Sequence, residues 1–307
     1  MERGEGFLET AHVNMKQKIN CRSALNGPRM KMWDEGAVKD LTWNRLKKLN
    51  GSFMEGRIEV TVERMDQVSV ITDAYWQAPL KLSRPFSRGR AVHVIGMDSS
   101  PGMLDGDEQT YFFHVGEGAH LRFTTQSAQK IYPSMGRGVV QRVKIQVGKE
   151  GVMEYLPEGN IPFHDSVFRG DTRIELEEGA KLVYLDLWTA GRVGSGEAFQ
   201  FRSWEQNLEI YREGKLLLWE RSDWKPKEGD FSPLFHFGPS TQLGTLYLLK
   251  EGLGQKEAEE IGKFLHSPPD RMGGATLLPY GAGIGLKLMG GSRSKIRQLL
   301  LEVKEDF

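Results

Sequence analysis

The chain has 307 residues, of which 39% are hydrophobic and 27% charged, as in folded globular proteins and unlike disordered ones. Lysine plus arginine total 41 and aspartate plus glutamate total 41, so a net charge of zero supplies no whole-chain attraction to nucleic acid or a membrane surface. A single cysteine, Cys21, excludes an internal disulfide, and no apolar run is long enough for a transmembrane helix.

From Met1 to about Asn50 the chain is polar and irregular, with scattered cations such as Lys16, Arg29 and Lys47. It buries too little apolar surface to offset its ordering entropy, so residues 1–50 read as a flexible extension with a short helix near 35–49. No signal-peptide core is present near Met1, and the expected location is cytoplasmic. Residues 51–307 read as one contiguous domain, because no linker-like stretch divides them.

From Gly51 the pattern has period two. Ile58, Val60 and Val62 alternate with polar residues, as do Val143, Ile145 and Val147, then Ile174 and Leu176, then Leu208 and Ile210. A Glu-Gly pair precedes an apolar run at Glu117-Gly118, Glu150-Gly151, Glu178-Gly179 and Glu213-Gly214. Glycine there supplies the positive φ of a tight turn. The spacing is too uneven for a strict solenoid, and it predicts a mostly β fold of stacked or coiled antiparallel sheets, β-helix-like. Two C-terminal α-helices are expected. One runs from Lys256 to His266; the other is capped by Ser292 and carries Ile296, Leu299, Leu300 and Val303 on one face. Strand-like runs at Ala275–Leu278 and Ile284–Met289 lie between them.

Motifs for chemistry are scarce. Gly281-Ala-Gly-Ile-Gly285 lacks the third glycine of a dinucleotide loop, and Gly191-Arg-Val-Gly-Ser-Gly196 lacks the Gly-Lys-Ser/Thr of a phosphate loop. The seven histidines show no tight ligand spacing, no Cys-x-x-Cys or Gly-x-Ser-x-Gly occurs, and Cys21 lies in the loose segment. One acid stands out. Asp186, within Leu182-Val-Tyr-Leu-Asp-Leu-Trp188, shares a face with Tyr184 and Trp188, and a buried carboxylate there needs a partner. Arg192 or backbone amides would be ordinary partners for it. Glu197 would pair with Arg192 at the surface.

Several stretches taken together resemble the urease accessory protein D/H family. They are Tyr75–Phe86; the turn Pro101-Gly-Met-Leu-Asp-Gly-Asp107; Thr124-Thr-Gln-Ser-Ala-Gln-Lys-Ile-Tyr132; Glu154-Tyr-Leu-Pro157 with Ile161-Pro-Phe163; and Gly191-Arg-x-x-x-Gly-Glu197, the most specific. The turn keeps Gly102, Gly106 and Asp107 but carries Ser99, Ser100 and Asp105 where the family has proline and glycine types. Gly191, Arg192 and Gly196 keep the second motif. The resemblance implies a non-enzymatic, mostly β protein with two helices. It also implies partnership with accessory protein UreF and, through it, the GTPase UreG, and docking on the urease apoprotein. It implies no tightly bound cofactor, with nickel in transit through a tunnel. Asp186 and His120 fall where the family has tunnel-associated polar residues, and Glu197 closes the shared motif, so these three are the candidate nickel-pathway residues. A β-solenoid carbohydrate-active enzyme and a purely structural protein-binding module are the alternatives.

Overall fold

The structure is a computed structural model that describes residues 53–228, 233–266 and 271–305. The expected extension at 1–50, with its helix and Cys21, lies outside the described residues.

Two sheets face each other. The first contains β1 (Glu55–Met65), β2 (Val68–Gln77), β6 (Glu108–Val115), β9 (Val139–Val147), β12 (Val167–Leu176), β14 (Ser203–Arg212) and β15 (Lys215–Trp224), in the order β15-β14-β12-β9-β6-β1-β2. The second is built on β3 (Leu80–Leu82), β5 (Ala91–Asp98), β7 (His120–Thr125), β10 (Val152–Leu156), β13 (Lys181–Thr189), β16 (Gln242–Leu249), β17 (Arg271–Leu277) and β18 (Ile284–Gly290). Short strands β4 (Phe86–Arg88), β8 (Gln129–Ile131) and β11 (Asn160–Pro162) attach to it.

The mostly β, coiled architecture agrees with the sequence pattern, but the strand direction in its centre does not. There β1, β6, β9, β12 and β14 pair in parallel, as do β5, β7, β10 and β13. Antiparallel pairing is kept to the margins, such as β1 with β2, β14 with β15, and β13 with β16. The cause lies in the Glu-Gly turns. Those at Gly118, Gly151 and Gly179 are corners that carry the chain from one sheet to the facing one, so equivalent strands of successive coils run the same way. Only Glu213-Gly214 closes a hairpin, between β14 and β15. The corners stack on one another: the Gly118 amide donates to the Lys149 carbonyl (2.8 Å) and the Glu150 amide to the Glu178 carbonyl (3.0 Å).

Parallel, in-register pairing lines up side chains of the same face from coil to coil. In the first sheet Ile58, Tyr111, Val143, Thr172 and Leu208 form one row. In the second, Phe123, Tyr155 and Tyr184 form another, and their rings stack at 5.6 and 5.4 Å with interplanar angles of 13° and 10°. These rows fill the main core between the sheets.

The outer face of the second sheet is covered by α2 (Gln255–His266) and α3 (Arg293–Glu305), as expected for the two C-terminal helices. Ala258, Leu265, Ile296, Leu300 and Val303 pack there on Val183, Leu185, Leu187 and Leu246. The Ser292 side chain and carbonyl accept from Lys295 and Ile296 at the α3 N-terminus. A one-turn helix, α1 (Pro233–Phe237), was not expected; five residues are too short to show a helical stripe. It delivers Phe237 to an aromatic cluster with Trp188, Phe199 and Trp224.

Phe123→Ala empties the centre of the ring stack and is expected to cost about 3–5 kcal/mol in urea unfolding. Met135→Ala, at a side chain 98% exposed, should shift stability by less than about 0.5 kcal/mol.

Candidate functional site

Alternation along β13 sends Leu182, Tyr184, Asp186 and Trp188 between the sheets, while Val183, Leu185 and Leu187 meet the helices. The facing sheet carries a polar register row. Gln109 pairs with Gln141, Gln141 with Gly170, Gly170 with Gln206, and Gln206 with Ser222. Opposite it, Asp186 pairs with Thr245, and Thr245 with Lys287. A band of polar groups therefore crosses an otherwise aromatic and aliphatic interior.

At one end the Asp98 carboxylate accepts from Gln109 Nε2 (3.0 Å), Gln129 Nε2 (3.2 Å) and the Ser100 amide (2.8 Å). Tyr111 donates its hydroxyl to Gln109 Oε1 at 3.0 Å, and Gln141 Nε2 reaches the same oxygen at 3.4 Å. In the middle, Gln206 Nε2 donates to Asp186 Oδ2 at 2.8 Å, and the Gln206 oxygen accepts from Trp204 Nε1 at 3.2 Å. The partners of Asp186 are thus Gln206 and, as the sequence allowed, a backbone amide, that of Leu187, and not Arg192. At the far end the Glu220 carboxylate accepts from the Tyr247 hydroxyl and from the Lys287 ammonium.

Asp186 borders two small cavities, of about 40 and about 20 Å³, which share Tyr184, Asp186 and Gln206 as walls. Each has room for one or a few waters. Trp188, only 2% exposed and lining the smaller cavity, has an indole N–H with no acceptor among the described residues. Burial pushes the Asp186 carboxyl up to about 6; the Gln206 hydrogen bond offsets part of this, and the nearby Glu220 carboxylate adds to it.

His120 lies elsewhere. It is on the outer face of β7, where its Nε2 is 2.7 Å from Glu154 Oε1. Glu154 is 4% exposed and also binds Arg122 through two nitrogens (3.0 and 3.1 Å) and Lys304 of α3 (2.9 Å). Burial alone would raise this carboxyl, but the hydrogen bonds from His120 and Lys304 and the charges of Lys304 and Arg122 outweigh it and hold it at about 2. The knot ties the last helix to the sheet.

Glu197 occupies a third place, the turn after β13. There Arg192 Nε donates to Glu197 Oε2 at 2.9 Å, and His164 Nδ1 is 3.5 Å from Oε1. Arg192 holds the Glu197 carboxyl below its usual range. Gly191 has φ +141°, and a Cβ there would lie 2.6 Å from the Glu197 carbonyl oxygen; Gly196, at φ +78°, closes the turn. Arg192 also stacks on Phe163 at 4.5 Å, and Phe163 packs on Tyr132 at 4.9 Å. Tyr132 adjoins the other glycine turn, donating its amide to the Met103 carbonyl. In that turn Gly102 (φ +148°) and Gly106 (φ +92°) let the chain fold back, and Asp107 accepts from the Met54 and Leu104 amides at 3.0 and 2.8 Å.

So Asp186, His120 and Glu197 lie at three separate places, one inside the sandwich, one under α3 and one in a surface turn. Among the described residues no group of three or more His, Cys, Asp and Glu side chains is arranged to hold a metal ion. The partners that sequence reasoning missed are Gln206, Glu220, Lys287 and Glu154. Glu154 carried the same signal as Asp186, an acid inside the apolar run Val152–Leu156. Gln109, Gln141 and Gln206 share parity with Tyr111, Val143 and Leu208, so extending the alternation by two residues would have placed them inside.

A family model described as UreD urease accessory protein matches residues 54–305. The chain belongs to this family. It is 35% identical over 251 residues to the urease accessory protein UreD of Acaryochloris marina, covering 81% of this chain and 88% of that protein. To the UreD of Acetivibrio thermocellus it is 26% identical over 249 residues, covering 80% and 94%. It is also 29% identical over 193 residues to the urease accessory protein UreH of Helicobacter acinonychis, covering 62% and 73%. The match to the UreD family takes in both sheets, both glycine turns and the two C-terminal helices.

The two buried carboxylates act on stability in opposite directions. Asp186 has a folded pKa above its unfolded value, so the stability tied to its protonated form is present below about pH 4 and is lost as pH rises through about 6. Asp186→Asn is expected to raise stability near neutral pH by about 1–2 kcal/mol, an advantage that vanishes in thermal melts below about pH 4. Glu154 has a folded pKa below its unfolded value, so its contribution is present above about pH 5 and is lost as pH falls toward 2. Glu154→Gln removes the buried counter-charge of Arg122 and Lys304, leaving Lys304 only its pairing with Glu305 at 3.3 Å, and should cost about 3–5 kcal/mol near neutral pH, with the gap to wild type narrowing in acid.

Proposed function

We propose that this UreD-family chain is a cytoplasmic, non-catalytic scaffold for urease maturation. In this reading it binds UreF and, through it, UreG, docks on apo-urease, and passes nickel along the polar band between its sheets. The observation that carries the reading is the placement of Asp186: one carboxylate, held by the Gln206 side-chain amide and the Leu187 backbone amide and bordered by water-sized cavities, midway along a file of glutamine, threonine and tyrosine groups. Nickel accepts carboxylate oxygen as a ligand. A conduit needs such sites to be few and weak, so that the ion leaves again. A tight cluster of ligands would trap it.

The carbohydrate-enzyme alternative draws on the coiled β architecture. It needs a groove with paired carboxylates and aromatic platforms. The open groove of about 460 Å³ beside α3 is lined by Glu158, Glu302 and Glu305 with Arg293 and Arg297, and by no aromatic residue. No helix among the described residues is long and apolar enough to cross a membrane.

Apo-urease activation by Asp186→Asn separates a conduit from a module that only binds protein. The variant should fold, co-purify with UreF, UreG and urease, and lower activation at limiting nickel at least tenfold. Full activation would refute a role for the carboxylate, and failure to recover any urease component from a urease-positive lysate would refute the scaffold.

A further inference from the structure

The polar band has one end where an interior carboxylate meets a half-exposed cation. Glu220 lines the smaller cavity, and its side chain is 24% exposed. One of its oxygens accepts from Tyr247, which is 5% exposed and belongs to the interior aromatic row. The other accepts from Lys287, whose side chain is 52% exposed. Lys287 stands in the same register row as Thr245 and Asp186, so it lies in line with the carboxylate at the centre of the band. Ser222 and Thr245 add hydroxyls to the same wall. The ion pair bridges β15, on the margin of the first sheet, and β18 of the second.

We propose that Glu220 is the entry site for a divalent cation and that the Lys287 ammonium is a removable stopper on it. This deepens the conduit reading and rests on it. An ammonium is a compact point charge on a flexible stem, able to neutralise a carboxylate and then swing into solvent. While Lys287 is in place, Glu220 is satisfied and the mouth is closed to a second cation. A dication that takes the carboxylate releases Lys287. The adjoining cavity of about 20 Å³ cannot hold a hydrated ion, so inward passage exchanges water for protein oxygens. Glu220, Ser222, Thr245 and Asp186 offer those oxygens in sequence. The stopper thereby sets a threshold: weakly competing cations fail to displace it, and among divalent first-row ions nickel outranks cobalt and manganese for such a site.

Two measurements on the full-length chain test this. In calorimetric or dye-competition titrations with nickel sulfate, Lys287→Met should bind at least tenfold tighter than wild type, Lys287→Arg should remain near wild type, and adding Glu220→Gln to Lys287→Met should remove the gain. The second needs no substitution. Reductive methylation of Lys287, followed by peptide mass spectrometry, should accelerate several-fold when nickel is added and not when magnesium is added. An unchanged labelling rate at saturating nickel, or a Lys287→Met affinity equal to or below wild type in a folded protein, overturns the stopper. Binding and labelling judge the stopper, whereas activation by Asp186→Asn judges the conduit. A stopper that fails while Asp186→Asn still blocks activation leaves the conduit standing without this gate.

Discussion

The constraint on which this fold rests is parallel register between successive coils. Because the chain turns a corner at Gly118, Gly151 and Gly179 instead of folding back, each inward residue stands beside its counterpart in the next coil. Apolar positions become ladders, as in Phe123, Tyr155 and Tyr184. Polar positions obey the same rule, and Gln109, Gln141 and Gln206 become a file with no helix or loop needed to assemble it. A core built this way can carry a polar path through its centre because the ladders on either side supply the burial that holds the sheets together.

The ionic interactions divide by place and by consequence. Glu154 is outside the sandwich and fully answered by Arg122, Lys304 and His120, so it fixes α3 to the sheet. Asp186 is inside, and the amides of Gln206 and Leu187 offset only part of the cost of burying its charge. A protein selected for stability alone would carry an amide or a hydrocarbon at 186. In the proposed conduit this cost is accepted so that a ligand can arrive and depart, and local cost of this kind is usual where a site must act.

Much of this was legible in the sequence. The alternating runs named the strands, the Ser292 and Lys256 patterns located the helices, and Asp186 was visible as an acid within an apolar strand. Strand direction was not, because a Glu-Gly turn has the same local chemistry whether it closes a hairpin or rounds a corner; the facing strand decides which, and that is a long-range matter. The glutamine file escaped notice because uncharged amides raise no alarm in a hydrophobicity pattern. Lys287 was invisible as a partner of Glu220, since nothing local joins residues so distant in the chain. His120 stands out through the resemblance alone, and its geometry with Glu154 depends on α3 coming to rest above it.

The claim that nickel travels along the inward amide file is tested most directly by making that file apolar at constant size. Gln141→Leu with Gln206→Leu keeps side-chain volume while removing the amides. Nickel content of urease, measured by elemental mass spectrometry after activation with this variant, should fall to a small fraction of the wild-type value while the variant still co-purifies with its partners. Urease loaded to the wild-type level would contradict the account.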